Sequence, residues 1–175
     1  GDSMLIEHTY DGKKEVINLR INNPAESTNL TRQLSADLKE VHYDSRSRLY
    51  GLLGSELALY DPKSVAKDQI VTTIASGFQN FDDNKYVYSA QTDAGSDIYV
   101  QNGQSKPVRV TTLATKDISQ FDYKYVMDRR VAYLAITNSA PKELQIFKNP
   151  LDLSGVIAKP GSDSGRLTPL YLATF

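Results

Sequence analysis

Asp82 and Asp83 are the adjacent carboxylates that come nearest to a catalytic pair in this sequence. A glycosidase needs two such groups, one acid and one base or nucleophile, about 5 to 9.5 Å apart across the sugar. Neighbours on a strand point to opposite faces, and Asp readily forms bends, so the pair reads as a bend. Asp93-Ala94-Gly95-Ser96-Asp97 could wrap a calcium ion with loop oxygens. Its twelfth position is Gln104 rather than the bidentate Glu of an EF-hand, which favours a plain hairpin loop. His8 and His42 are the only histidines, and neither has the spacing or companions of a zinc site or a catalytic triad. Gly161-Ser162-Asp163-Ser164-Gly165 has the outline of a nucleophile elbow but places Asp163 where the serine belongs, so it reads as a flexible loop. Asn29-Leu30-Thr31 matches a glycosylation sequon. The chain has no cysteine, which removes disulfides, thiolate nucleophiles and thiolate metal sites together. No residue is therefore assigned to catalysis, to a cofactor or to a metal, and no cofactor is expected.

Bulk properties narrow the partners. The 20 basic and 21 acidic residues leave a net charge of −1, so no long-range field gathers a phosphate backbone, and nucleic acid is not an expected partner. The longest uninterrupted apolar stretch, residues 131–136, is far too short to span a bilayer as a helix. Freedom from cysteine suits both a reducing cytoplasm and a bacterial cell surface. Gly1-Asp2-Ser3 before Met4 reads as an expression scar, and the chain as an internal piece of a larger protein.

The elements that carry these residues follow a repeat. Asn23-Pro24, Asp61-Pro62, Asn102-Gly103 and Asn149-Pro150 recur roughly 40 residues apart. Each follows a short β-branched or alternating segment: 16–21, 57–60, 98–100 and 144–147. Further strands are expected at 30–34, 70–74, 108–113 and 167–172. Thr72-Thr73-Ile74-Ala75-Ser76 has a near copy one repeat later in Thr111-Thr112-Leu113-Ala114-Thr115. Asp-led bends at 44–47, 82–84 and 128–130 each precede an apolar strand, 49–53, 86–90 and 131–136. In the third of these, Met127-Asp128 is preferred to Phe121-Asp122 because it preserves the spacing. The Asp11-Gly12 hairpin supplies two strands of a first unit that lacks its own first strand. Residues 131–136, apolar throughout, are expected to be buried on both faces. Most of the eleven tyrosines fall in strands as packing residues. The one helical candidate is 35–41.

Strand-rich units of this period indicate an all-β β-propeller, or a segment of one, with about four four-stranded blades. The whole chain, 1–175, then forms one repeat domain with units near 5–34, 38–75, 78–114 and 118–174. A β-sandwich is the alternative.

Phe81-Asp82-Asp83-Asn84-Lys85, then Tyr86-Val87-Tyr88-Ser89, then Asp97-Ile98-Tyr99-Val100-Gln101-Asn102-Gly103 resembles the repeat of the TolB-type, Trp-Asp-like β-propellers. That repeat runs Trp-Ser-Pro-Asp-Gly-Lys, an apolar strand, Ile-Tyr-Val and an Asp-led turn. The likeness is clearest in residues 77–115, lacks the Ser-Pro pair and puts Asn84 in place of glycine. It implies a propeller used as a protein-interaction platform in a bacterial envelope, with no catalytic residues to carry over. The expected function is a non-catalytic interaction or scaffolding module of an extracellular or envelope protein. Its partner would be another protein or a surface glycan. The rivals are a propeller hydrolase acting on glycans and an adhesin-like sandwich domain.

Overall fold

The structure, a computed structural model, describes residues 2–34, 38–44, 46–61, 63–82, 84–151 and 169–174. It is all-β, with four antiparallel sheets each made of consecutive strands. The first sheet has three strands, β1 (Ser3–Tyr10), β2 (Lys13–Arg20) and β3 (Thr28–Asn29). The second is β4 (Leu38–Tyr43), β5 (Leu49–Leu53), β6 (Glu56–Tyr60) and β7 (Lys67–Thr72). The third is β8 (Gly77–Asp82), β9 (Lys85–Thr92), β10 (Gly95–Asn102) and β11 (Val108–Leu113). The fourth is β12 (Phe121–Asp128), β13 (Val131–Ser139), β14 (Lys142–Lys148) and β15 (Tyr171–Thr174). No described strand pairs outside its own repeat, which is propeller pairing and removes the sandwich alternative.

Turn chemistry sets the registers. Asp11 and Gly12 have φ of 50° and 72°, the left-handed pair of a type I′ hairpin between Tyr10 and Lys13. Arg129 and Arg130 adopt φ of 45° and 69° without a glycine, and Asp128 pairs with Val131 across them. The bend therefore follows Met127-Asp128, as the spacing required. Asn149 closes the same sheet: its N–H donates to the Ala132 carbonyl at 2.7 Å and its Oδ1 accepts from the Ala132 N–H at 3.0 Å.

The chain divides into two compact units, Gly1–Ile74 and Ala75–Phe175. Inside the first, Val16 and Leu30 pack with Leu38, Val41, Leu49, Ala58, Tyr60 and Val65 of the second sheet and its loop. Inside the other, Val87, Ile98, Val100, Val110 and Leu113 of the third sheet meet Leu134, Ile136 and Phe147 of the fourth. The Phe81 and Tyr125 rings stack there with centroids 3.6 Å apart. Each unit thus buries one sheet face against another, the standard way for a half-apolar sheet to leave water.

Three expectations need correction. Leu30–Leu34 is a short helix, α1, rather than a strand, and the strand before it is only β3. Asn29 Oδ1 accepts from the Arg32 N–H at 3.0 Å, an N-cap that starts a helical turn. Leu30 and Leu34, four apart, then fall on one side and join the core. Residues 38–41, assigned to a helical candidate, begin β4, with a bulge between Leu38 and Glu40 that lets both Leu38 and Val41 face the core; 35–37 lie outside the described residues. Finally, 131–136 is not buried on both faces. Ala132, Leu134 and Ile136 are buried, whereas Val131, Tyr133 and Ala135 are half-buried. Burial on both faces belongs instead to residues 49–52 and 86–90.

Gly95 tests how closely the third sheet packs. It has φ of +148°, and a Cβ there would lie 1.9 Å from the Leu113 carbonyl oxygen. Gly95→Ala should destabilise the protein by about 1–3 kcal/mol or more, because backbone must move. Gly12→Ala, where a Cβ would meet nothing within 4 Å, should cost only about 1 kcal/mol of left-handed strain. Urea denaturation of the two variants measures the difference.

Candidate functional site

The third sheet carries a polar cluster on one face. Alternation along β10 places Asp97, Tyr99 and Gln101 on the same side. Tyr88 of β9 lies opposite Tyr99, and Thr112 of β11 opposite Asp97. A bulge between Ile98 and Tyr99 sets Arg109 across from Tyr99. Asp97, only 6% exposed, accepts from Thr112 Oγ1 at 2.5 Å and from the Tyr99 hydroxyl at 3.2 Å, with Arg109 Nη1 3.6 Å away. The Tyr88 and Tyr99 rings stack at 5.4 Å, and the Tyr88 hydroxyl donates to Gln101 Oε1 at 3.3 Å. Burial, and then the Asp97 charge, raises the Tyr99 pKa, so the phenol stays protonated and donating. Two hydrogen bonds and one ion pair thus tie the Asp97 carboxylate to its own sheet.

The second sheet carries a cleft of about 550 Å³ lined by Ser47, Arg48, Leu59, Tyr60, Asp61, Lys63 and Asp68. Asp44 holds Arg48, which lines one wall. Its Oδ1 accepts from the Arg46 and Arg48 N–H groups at 2.9 and 2.8 Å, and its Oδ2 holds Arg48 Nε and Nη2 at 2.6 Å each. The Arg48 guanidinium also lies over the Tyr50 ring, 5.8 Å from its centroid. Asp61 builds the other wall, accepting from the Lys63 N–H at 2.7 Å and the Ser64 N–H at 3.3 Å. Those bonds, Lys63 first, hold its carboxyl below the ordinary Asp range. Burial, and secondarily Glu56, pushes the Tyr60 phenol up to about 12. Two cations and two carboxylates line the cleft, so it suits a ligand of balanced charge better than a polyanion.

The residues singled out in the sequence are not drawn into one place. His8 is exposed and stacks near Tyr10 with ring centroids 6.3 Å apart. His42 lies on another sheet, 3.9 Å from Glu40. Among the described residues, no three His, Asp or Glu side chains gather into a metal-sized group. The 93–97 segment is the β9–β10 hairpin, with Asp97 turned onto the sheet face. Asp82 ends β8, while Asp83 and residues 161–165 lie outside the described residues. Asp44 and Asp61 were legible as turn residues, but the Asp97 cluster was not, because its members come from separate strands.

No protein-family model matches the sequence, and no curated protein is similar to it. A solved structure, "Dihydro-heme d1 dehydrogenase NirN in complex with DHE", is similar in fold, with a TM-score of 0.53 at 13% identity. The match covers 98% of this chain and 35% of that one, so this chain spans about a third of that protein's length. That neighbour is a propeller, and at this identity the likeness concerns the fold alone. The chain is an all-β propeller segment. No helix among the described residues is long and apolar enough to cross a membrane.

Two measurements follow. Asp97→Asn should lower the stability by about 1–3 kcal/mol and bring the Tyr99 pKa down part of the way toward its ordinary value, read by ultraviolet titration. Asp61 titrates below its unfolded value, so its support of the turn is present above that value and fades as pH falls through the folded one. Amide exchange at Lys63 and Ser64 should therefore quicken on acidification beyond the chemical trend, and Asp61→Asn should remove that excess.

Proposed function

We propose that this chain is a non-catalytic protein-interaction module, a propeller segment that offers a sheet face to another protein. One face of the fourth sheet carries the argument. Register places Val126, Tyr133, Ala135, Ile146 and Tyr171 on the same side across all four strands. Val126 is 44% and Tyr171 51% exposed, and the other three are half-buried. Asp122, Lys124 and Asp128 share that face and give it a charged rim. An apolar centre with a polar rim is the anatomy of a protein interface. The opposite face of the sheet is already buried against the third.

The carboxylates support the same reading. Asp44, Asp61 and Asp117 bind backbone N–H groups of their own turns, and Asp97 binds side chains of its own sheet. The carboxyl of Asp61 is held low by the Lys63 and Ser64 N–H groups and that of Asp117 by the Ser119 hydroxyl and then its N–H, the opposite of what a general acid needs. The resemblance of residues 77–115 to TolB-type repeats favours a bacterial surface or envelope setting.

Affinity capture from the native host with the unaltered chain and with the double variant Val126→Asp, Tyr171→Asp tests the reading. A discrete protein retained by the first and lost with the second, whose circular dichroism is unchanged, is the expected result. Hydrolysis of any member of a glycoside panel, abolished by a single Asp→Asn change, would replace the proposal with the hydrolase.

A further inference from the structure

The cleft on the second sheet holds two opposite charges that the fold itself does not consume. Lys63 and Asp68 both line it, and among the described residues neither the Lys63 ammonium nor the Asp68 carboxylate makes a hydrogen bond or an ion pair. Lys63 does feel the charge of Asp61, whose carboxylate is already bound by the Lys63 and Ser64 N–H groups. A bulge delivers Asp68. Leu59 pairs with Gln69 and Tyr60 with Lys67, so Asp68 is the extra residue between them and opposes no partner on β6. Such a residue leaves the regular alternation of the strand, and its side chain is re-aimed. Here it is re-aimed into the cleft.

The walls around these two charges are fixed. Arg48 is held by Asp44 Oδ2 through Nε and Nη2 and lies over the Tyr50 ring, so it presents a stationary cation. The Asp44 side chain is 1% exposed and that of Arg48 25%, so the carboxylate is covered while the guanidinium still reaches the cleft. Ser47, with φ of 60°, closes this wall by donating its N–H to the Asp44 carbonyl at 3.0 Å. On the other wall the Asp61 N–H donates to the Ala66 carbonyl at 2.9 Å, and the Asp61 carbonyl accepts from the Val65 N–H at 2.8 Å. Walls tied in this way lose little freedom when a ligand arrives, which lowers the cost of binding. Leu59 adds an aliphatic patch.

We infer that this cleft binds a short zwitterionic peptide with free ends, its ammonium on Asp68, its carboxylate on Arg48 and Lys63, and an apolar side chain on Leu59. A volume of about 550 Å³ lies within the range of small-molecule pockets, about 300–1,000 Å³, and takes a peptide of about two or three residues. A polyanion would meet Asp61 and Asp68, and a polycation would meet Arg48 and Lys63. Opposite charges at the two ends of one small molecule satisfy both sides of the cleft. Arginine and lysine together suit a carboxylate, the first by its planar fork and the second as a point charge. The cleft belongs to the unit Gly1–Ile74 and the fourth-sheet face to Ala75–Phe175, so this site does not rest on the protein-interaction reading.

The probe is the tripeptide Ala-Leu-Ala, titrated at low salt into the isotopically labelled protein. Saturable shifts of the Ser47, Leu59, Asp61 and Asp68 amides are expected. The N-acetylated and the C-amidated tripeptides should each bind about threefold to tenfold more weakly. Asp68→Asn should weaken the free tripeptide as acetylation does and leave the acetylated form unaffected, and Lys63→Gln should stand in the same relation to the amide. Both residues are exposed, so the variants should fold. Should one fail to fold, the blocked peptides on the unaltered protein decide alone. Equal binding of free and blocked peptides, shifts confined to residues away from the cleft, or no saturation would overturn the inference. The double variant Val126→Asp, Tyr171→Asp should bind the tripeptide as the unaltered protein does. Loss of protein capture with tripeptide binding intact would remove the interaction reading alone, and the reverse result would remove this site alone.

Discussion

Face-to-face burial of one small sheet by another is the interaction on which this structure depends. A sheet of three or four short strands has an apolar face that it cannot bury by itself. Within the first unit Val16 and Leu30 meet Leu49, Ala58 and Tyr60, and within the second Val87, Ile98 and Val100 meet Leu134, Ile136 and Phe147. Packing is also close between adjacent strands of one sheet: a Cβ on Gly51 of β5 would stand 3.0 Å from Tyr60 Cε2 of β6, so that ring would have to give way to admit it. The same constraint explains the fourth sheet, where only one face has found a neighbour among the described residues and the other displays Val126 and Tyr171.

Turns between these strands are fastened by short polar side chains, among them Asp44, Asp61 and Asp117. Asp44 gathers Arg46, Arg48 and Tyr50 around the β4–β5 turn. Asp61 caps the loop after β6, whose backbone also closes on itself from Val65 N–H to Asp61 O at 2.8 Å. Val65 has φ of +55°, a conformation that a β-branched residue adopts only under constraint. Its side chain is 5% exposed in the first unit's core, so burial offsets the backbone strain. Asp117 does similar work ahead of β12, accepting from the Ser119 N–H and hydroxyl. Carboxylates committed to local N–H groups hold each of these turns in one conformation.

Much of this was legible along the chain, because turns and hairpins are local. Asp11-Gly12 and the bend after Met127-Asp128 both follow from neighbours within a few residues. The misreading of Leu30–Leu34 has a local cause too. An apolar residue at each end of five fits a strand or a helical turn, and the Asn29 cap decided between them. A cap acts through one hydrogen bond whose presence depends on backbone conformation, so composition alone could not weigh it.

By itself the sequence determined the period, the antiparallel pairing within each repeat and the turn residues that set register, since each is a matter of backbone geometry over short distances. Tertiary structure decided which faces are covered. Residues 131–136 are as apolar as any strand in the chain, yet one side of them stays half open while 86–90 are closed on both sides. It also decided that Asp97, Tyr99, Thr112 and Arg109 form one cluster. Burial is a property of the neighbouring sheet rather than of the strand, and a cross-strand cluster is a property of register and bulges. Neither quantity is written in the spacing of residues along a single strand.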